Sequence, residues 1–326
     1  MTGDRHVRLR VSSVYGYIFG RLRQALITLW LITVLTFVVA KVTPGSPFGL
    51  DDPDQAARVP QEMSDRYRDL YGLDRPVVVQ YLSWLGRLVQ GDLGVSYTYR
   101  NETVQEVIRR SWPATAEIGM VALLLALGLG VPLGVAAATR RHSALDHLSR
   151  AVAVTGAAIP VYVLATLAVL LFSVKLQVLP LTGWGSPARI LLPACVLALG
   201  PLALAIRYSR TATLEVLGAD FVRTARAKGL RSHQVIGVHV LKNALLPILT
   251  LAGPMAAALL TGSFFVETIF NVPGLGATFV YAAADRDYPM IMAGALLSGT
   301  LIILLNLAVD LAYGLLDPRI RLAGGS

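Results

Sequence analysis

The sequence predicts an all-α integral membrane protein with about six transmembrane helices. Hydrophobic residues make up 55% of the chain and only 15% are charged, against about 25% in soluble domains. Apolar runs of about 20 residues recur along the chain, and that length crosses a hydrocarbon core of about 30 Å. The runs lie near residues 24–43, 114–138, 149–174, 190–209, 248–270 and 289–314.

The chain has a net charge of +9, and its basic residues are distributed between the loops as in a membrane protein with a defined orientation. Segments 1–23, 139–150, 207–242 and 317–326 together hold about 17 lysines and arginines, whereas the opposite short loops hold about four. Because basic loops stay on the cytoplasmic side, we expect both termini and the loop 211–247 in the cytoplasm. This distribution argues against a nucleic-acid partner.

Residues 1–23 predict a cytoplasmic N-terminal tail, which leads into transmembrane helix 1 at 24–43. Arginines before an apolar run also occur in secretory signal peptides. The run Gln24–Val42 exceeds the roughly 7–15 apolar residues of a signal peptide, and no small-residue cleavage site follows it. We therefore interpret it as a retained span.

Residues 44–113 form the longest segment outside the predicted spans, and we expect it on the external side. After a proline-rich start, it carries three amphipathic helix patterns. The first is marked by Met63, Tyr67 and Leu70, and the second by Tyr81, Trp84, Leu85 and Leu88. The third spans Asn101 to Arg110, where Thr103 and Glu106 have the spacing of a capping box. Because short helices cannot bury such stripes alone, we expect an external cap between spans 1 and 2.

Residues 114–316 hold spans 2–6, and residues 317–326 form a predicted cytoplasmic tail. Prolines and glycines interrupt these spans, and small residues allow helices to approach closely. Asp310 lies inside span 6, where an acid is a functional candidate by default. Since it is only about two turns from the cytoplasmic end, a structural bond to a loop or an arginine is favoured.

The loop 211–247 contains two helix patterns separated by a glycine. Leu217, Phe221 and Ala225 recur every four residues, which predicts one helical face. Basic residues follow near the end of this helix, where cations are favourable: Arg223, Arg226 and Lys228. Gly229 suits a left-handed C-terminal turn, and Ser232 is the expected N-cap of the second helix. Two interpretations remain open, a rigid docking element for a partner protein and a basic helix on lipid headgroups.

Span 5, residues 248–270, contains many small and weakly polar residues, including Ala257, Thr261 and Gly262. Such residues indicate either tight helix packing or the border of a water-filled path. Glu267, near the external end, either faces a vestibule or extends to the membrane interface. The residues alone do not decide between these interpretations.

The stretch ADFVRTARAKGLRSHQVIGVHVLKNALLP, residues 219–247, resembles the EAA loop of binding-protein-dependent ABC import permeases. It is most similar to the loop of the dipeptide, oligopeptide and nickel group. Ala225 and Gly229 stand at the last alanine and the glycine of that pattern. Arg223 and Thr224 replace its first glutamate and alanine, as they do in this subgroup.

Two further runs resemble the first permease subunit of peptide systems: YGLDRPVVVQYLSWLGRLVQGDLGVSY at 71–97 and DPRIR at 317–321. The resemblance implies a type I ABC importer permease-like bundle in a prokaryotic cytoplasmic membrane, in contact with membrane lipid. Its expected partners are a second permease subunit, two cytoplasmic ATPases that bind ATP and magnesium, and an extracytoplasmic substrate-binding protein. The chain itself is expected to have no catalytic site, metal or cofactor. The expected cargo is di- or oligopeptides, with nickel or another small solute as the alternative.

The resemblance also implies roles for particular residues. A helix at 216–229 would act as a lever, with Phe221 and Ala225 in an ATPase groove and the three basic residues setting its orientation. Span 5 would face the partner permease, which assigns four residues to the translocation path. They are Ala257, Thr261, Gly262 and Glu267.

The rival class is a stand-alone secondary transporter or channel, which would need a coupling acid near mid-membrane. The predicted spans carry no series of such acids, and a simple membrane anchor would not need spans broken by proline and glycine. The sequence has no G-x-x-x-x-G-K-[ST] phosphate loop, catalytic triad or zinc pattern. Its single cysteine, Cys195, is expected to be a small packing residue.

Overall fold

The computed structural model describes residues 3–43, 72, 74–99 and 102–316 of the chain. Within these residues the chain is helical, apart from loops and one isolated bridge between Val95 and Thr103. The first half contains α1 (Gly3–Val42), α2 (Val77–Val89), α3 (Val104–Thr139), α4 (Ala144–Ala158), α5 (Val161–Ala168) and a π-helical continuation (Val169–Lys175). The second half contains α6 (Pro187–Leu217), α7 (Asp220–Ala227), α8 (Leu241–Thr261), α9 (Phe264–Ile269), α10 (Leu275–Ala284) and α11 (Tyr288–Leu316). A helical turn (Ser232–Gln234) and a π-helical turn (Val235–Val240) lead directly into α8.

The prediction of an all-α membrane protein with about six spans is confirmed. Within the described residues, five segments are long and apolar enough to cross a membrane, and a bent helix pair brings the total to six. The five are Phe19–Val42, Val104–Thr139, Pro187–Leu217, Ser232–Ile269 and Tyr288–Ala312.

The bent pair is α4 with the helix from Val161 to Lys175, whose axes differ in direction by 107°. The sequence predicts one continuous run at 149–174, so this bend is a correction. Pro160 supplies no backbone N–H, and Ile159 before it is extended at φ −89° and ψ 126°. The α-helical hydrogen bonds therefore stop at this point.

The helix is continuous across residue 23, where the sequence predicts the boundary between an N-terminal tail and span 1. Helix α1 begins at Gly3 and continues through residue 23 to Val42, because no proline interrupts this part of the sequence. Near its membrane-embedded part, Arg21 forms an ion pair with Asp310 of α11. Asp310 therefore has the structural arginine partner that its position predicts.

Of the short helices expected in the segment 44–113, one is present as predicted. Helix α2 packs its predicted stripe against α1 and α11 through a cluster of Phe37, Trp84 and Met292, and the Tyr81 hydroxyl lies 3.0 Å from Thr33 Oγ1. The expected third short helix is instead the start of α3. The capping box of Thr103 and Glu106 begins a helix that continues to Thr139. The pattern around Met63 to Leu70 lies outside the described residues.

Helices α3 and α6 form the centre of the bundle. Glycines on α3 face α6 where the backbones approach most closely. A Cβ on Gly130 would lie 2.7 Å from Ala205 Cβ, and a Cβ on Gly134 would lie 2.5 Å from the Ile206 carbonyl oxygen. In a lipid environment such close contacts, rather than a hydrophobic driving force, hold helices together. This packing provides the rigid support for the loop that follows α6.

Candidate functional site

The loop after α6 presents a short helix, α7, on the surface of the chain. Helix α6 ends at Leu217, and Gly218 and Ala219 separate it from α7 at Asp220–Ala227. The predicted single helix at 216–229 is therefore wrong at both ends. Leu217 belongs to the long span helix, so it does not extend one face with Phe221 as its four-residue spacing predicts.

One face of α7 is buried against its own chain. Val222 and Ala225 pack against Val235 and Val240 of the π-helical turn, and Val222 is completely buried. Phe221 does not belong to this cluster and remains 45% exposed. The structure thus separates two residues that the sequence assigns to one contact. Ala225 holds α7 in place, whereas Phe221 is available to a partner.

The C-terminus of α7 forms the glycine turn that the sequence predicts. Gly229 has φ +81°, and its N–H donates to the Arg226 carbonyl oxygen at 3.0 Å. The Leu230 N–H donates to the Ala225 carbonyl oxygen at 3.3 Å. These two bonds make a Schellman motif, which fixes the direction in which the chain leaves the helix. The next helical turn has its N-cap at Arg231, one residue before the predicted Ser232.

Exposed basic groups lie along α7 and at its C-terminal end. Arg223 lies 3.7 Å from Asp220, and both side chains are mostly exposed, so this pair contributes little to stability. Arg226 and Lys228 are also exposed. The exposed surface of α7 and its C-terminal turn thus carries one large aromatic side chain and three cations, which suits contact with a groove that carries acidic groups at its edge.

A buried ion pair fixes the end of α6 from which this loop starts. Asp146, fully buried in the first turn of α4, accepts hydrogen bonds from Arg210 Nε at 2.8 Å and Nη2 at 3.3 Å. The His142 N–H also donates to Asp146, at 3.1 Å. The sequence analysis missed this pair. Its only local signal is Ser143 three residues before Asp146, the spacing of an N-cap.

The second candidate region is the break between α8 and α9. Gly262 has φ +100°, and a Cβ there would lie 2.6 Å from both Glu267 Oε1 and the Gly276 nitrogen. Glycine is therefore required for conformation and for space. The helix of the predicted span at 248–270 is interrupted at Gly262 and Ser263, although Ser232–Ile269 remains one candidate span.

Glu267 connects three elements at this break and is only 3% exposed. Thr115 of α3 donates to Oε1 at 2.8 Å, and the Ala277 N–H in the first turn of α10 donates to Oε2 at 2.8 Å. Thr115 Oγ1 in turn accepts from the Leu275 N–H at 2.8 Å. An acidic group at a helix N-terminus is favourable because it accepts otherwise unpaired N–H groups. Glu267 is thus a buried structural acceptor and faces no vestibule within this chain.

The remaining predicted path residues lie on different sides of α8. Ala257 is completely buried inside the bundle, so it cannot line a path at the surface of this chain. Thr261 is half-buried and donates to the Ala258 carbonyl oxygen at 3.1 Å. The exposed face of α8 passes through Ala258, one residue after the predicted Ala257. It contains Thr250, Pro254, Ala258 and, beyond the break, Phe265.

Asp287 anchors the loop between α2 and α3 to the start of α11. It is fully buried and accepts a hydrogen bond from the Ser96 hydroxyl and from the Tyr97 and Thr98 N–H groups at 2.9 and 3.0 Å. Its other oxygen accepts from the Met290 N–H at 3.2 Å. No group of three or more His, Cys, Asp or Glu side chains that could hold a metal occurs in the described part of the chain.

Comparisons with known proteins cover both candidate regions. The family described as "Binding-protein-dependent transport system inner membrane component" matches residues 130–322. The dipeptide transport system permease protein DppB of Bacillus subtilis (strain 168) is 41% identical over 306 residues, or 94% of this chain and 98% of that protein. The oligopeptide transport system permease protein OppB of Salmonella typhimurium is 38% identical over 307 residues, or 94% and 99%. A solved structure of the MetNI methionine ABC transporter has a TM-score of 0.49 and 21% identity, and the match covers 68% of this chain and 98% of that chain.

Proposed function

The chain belongs to the family of binding-protein-dependent transport system inner membrane components, and we propose that it imports di- or oligopeptides as one half of an ATP-driven translocation path. It is a multi-pass membrane protein. The peptide cargo is supported by two relatives that are named for dipeptide and oligopeptide transport and are similar over 94% of this chain.

The observation that carries the proposal is the geometry of α7. Phe221 is exposed beside the buried side of α7, which anchors the helix, and the end of the helix is fixed by the Gly229 turn. A large exposed aromatic group on a rigid support is suited to a pocket in a partner protein, where such residues dominate binding energy. We assign this contact to a cytoplasmic ATPase, with Arg223, Arg226 and Lys228 orienting it.

The same elements provide a route for motion. Helix α7 packs on the π-helical turn at 235–240, and this turn continues into α8. Helix α8 in turn ends just before Gly262. ATPase closure would displace α7 and, through this turn, shift α8 between two bundle arrangements. The exposed face of α8 is the side that we assign to the partner permease and the path.

The remaining components are assigned to other chains. Two ATPase subunits would bind ATP and magnesium, a second permease would complete the path, and an external binding protein would deliver the peptide. This permease would contribute no catalytic group. Both termini and the loop 211–247 are assigned to the cytoplasm on the basis of the lysine and arginine distribution.

The test is purification of the native complex, mass spectrometry of its subunits and uptake of a labelled dipeptide into proteoliposomes. Phe221→Ala should reduce ATPase retention and uptake together, by about tenfold or more, because a central aromatic anchor contributes about 2 kcal/mol to binding. Leu181→Ala is the control, since Leu181 has similar exposure, at 49% against 45%, on a loop distant from α7 in the chain.

Two results would contradict the proposal. One is a purified complex without ATPase subunits that still transports dipeptide. The other is a Phe221→Ala complex that keeps its ATPases and transports at the rate of the Leu181→Ala control.

A further inference from the structure

A pocket of about 170 Å³ lies between the C-terminal end of α1, helix α2 and the start of α11. Three cationic side chains line it, Lys41, Arg75 and Arg87, and none of its described lining residues is acidic. None of the three cations forms an ion pair with a carboxylate in the part of the chain that the structure describes. Three like charges around one cavity repel each other unless an anion lies between them.

A second observation points to an occupant of this pocket. The Trp84 side chain lines it and is only 4% exposed, yet its Nε1–H has no hydrogen-bond partner among the described residues. Buried indole N–H groups normally find an acceptor, because an unmade hydrogen bond in a buried position is unfavourable. Trp84 is thus an unsatisfied buried donor in the wall of a positively charged pocket.

The Lys41 side chain is held by aromatic rings rather than by an acid. Its Nζ lies 4.7 Å from the centroid of the Tyr288 ring and 5.9 Å from that of Phe37. Such contacts orient an ammonium group while leaving its charge unneutralised. Lys41 is therefore positioned to attract an anion.

The size of the cavity limits the occupant to one small group. Pockets for drug-sized ligands enclose about 300–1,000 Å³, and this cavity has about 170 Å³. A phosphate group with its ester oxygens is of suitable size, and arginine and lysine are its usual ligands.

The surroundings of the pocket favour a phosphate that is attached to lipid. Helix α2 turns an apolar face away from the bundle, and the neighbouring α1 exposes large apolar side chains along its membrane-spanning part. The exposed groups include Val77, Val78, Leu82 and Val89 on α2 and Leu31, Leu35 and Val38 on α1. We propose that the pocket binds the phosphate of an anionic phospholipid headgroup, with the acyl chains lying against these apolar faces.

The experiment uses the purified full complex, depleted of lipid and titrated with phosphatidylglycerol, with bound lipid counted by native mass spectrometry. The variant Lys41→Gln/Arg75→Gln/Arg87→Gln should weaken binding about 100-fold, about fivefold for each cation removed near a membrane surface. Trp84→Phe removes the buried N–H but leaves the charge of the pocket unchanged, so it should weaken binding far less than the triple variant. The matched control is Arg140→Gln/Arg141→Gln/Arg189→Gln, which removes the same charge from exposed positions away from the pocket and should leave binding unchanged.

Three outcomes would overturn the proposal. The first is equal phosphatidylglycerol binding by the pocket variant and the control variant. The second is displacement of the lipid by inorganic phosphate at equal concentration, which would identify free phosphate as the occupant. The third is displacement by a dipeptide, which would make the pocket part of a substrate site.

Discussion

Two glycines, Gly229 and Gly262, direct the chain on either side of α8, and they do so for different physical reasons. Both have positive φ, at +81° and +100°. A Cβ at Gly229 would have no other atom within 4 Å, so only the backbone conformation at this position requires glycine. At Gly262 the Cβ would also collide with Glu267 and the backbone of Gly276. Substitution should therefore be mild at the first glycine and severe at the second.

The first prediction uses this difference to separate coupling from folding. Gly229→Ala should cost about 1 kcal/mol in the left-handed turn, which is small for a bundle of this size but affects the direction of α7. We expect normal membrane insertion and reduced ATP hydrolysis in response to peptide, measured on reconstituted complexes. Gly128→Ala is the control, because Gly128 on α3 also has open space around it but has no positive φ and lies outside the loop and the turn that couple α7 to α8. Equal ATPase stimulation in the two variants would refute the role of the turn.

The second prediction concerns the buried carboxylate of Glu267. Glu267→Gln keeps the shape of the side chain but places an NH2 group against the donors of Thr115 or Ala277. One buried donor then loses its acceptor, which should lower the free energy of unfolding by about 1–3 kcal/mol. The measurement is the thermal midpoint of the purified permease. Glu117→Gln is the control, since Glu117 is exposed and accepts one bond from Trp184 at 2.8 Å. A midpoint no lower than that of the control would show that the connection is not needed.

At the scale of helices, the described spans contain breaks that divide them into stable and adaptable parts. The breaks at Pro160 and Gly262 interrupt the third and fifth spans, and π-helical turns follow α5 and precede α8. By contrast, α3 and α6 remain continuous although both contain prolines, because each is packed closely against the other. Helix α8 thus has a fixed neighbour on one side and an exposed face on the other. The exposed face is where a second permease could contact it.

The third prediction distinguishes the two faces of α8. Ala258 is exposed and Ala257 is completely buried, although they are adjacent in the chain. Ala258→Trp should leave the permease folded and block peptide uptake, because the indole occupies the surface that we assign to the path. Ala257→Trp should instead reduce the amount of folded permease, since overpacking a tight core costs about 1–3 kcal/mol or more. Quantitative immunoblotting of the membrane fraction and dipeptide uptake distinguish these effects. Normal uptake by Ala258→Trp would place the path elsewhere.

For the whole molecule, apolar length and helical periodicity are strong signals, and they predict the helical class, the approximate spans and the amphipathic stripe of α2. Local chemistry also predicts the Gly229 turn and the capping box at Thr103. Contacts between distant segments are not visible in such patterns. The pair of Asp146 with Arg210 and the bonds from Asp287 to residues 96–98 join parts of the chain that are far apart in sequence. For the same reason, the resemblance assigns Ala225 to a partner contact and the position of Glu267 suggests an accessible site, whereas tertiary packing buries both.

The last prediction concerns the orientation of the whole chain in the membrane. The excess of lysine and arginine in alternate loops predicts that the loop 211–247 is cytoplasmic and that 44–113 is external. Ser83 on α2 and Ser232 after α7 are both exposed and lie in these two segments.

The single native thiol, Cys195, is partly accessible and would also react, so the test uses the Cys195→Ala variant as its parent. With an impermeant maleimide on intact cells, Ser83→Cys should label at once, whereas Ser232→Cys should label only after the membrane is opened. Both variants should still transport peptide, which shows that the labelled protein is assembled. Labelling of Ser232→Cys in intact cells would reverse the orientation and remove α7 from the side on which an ATPase can bind.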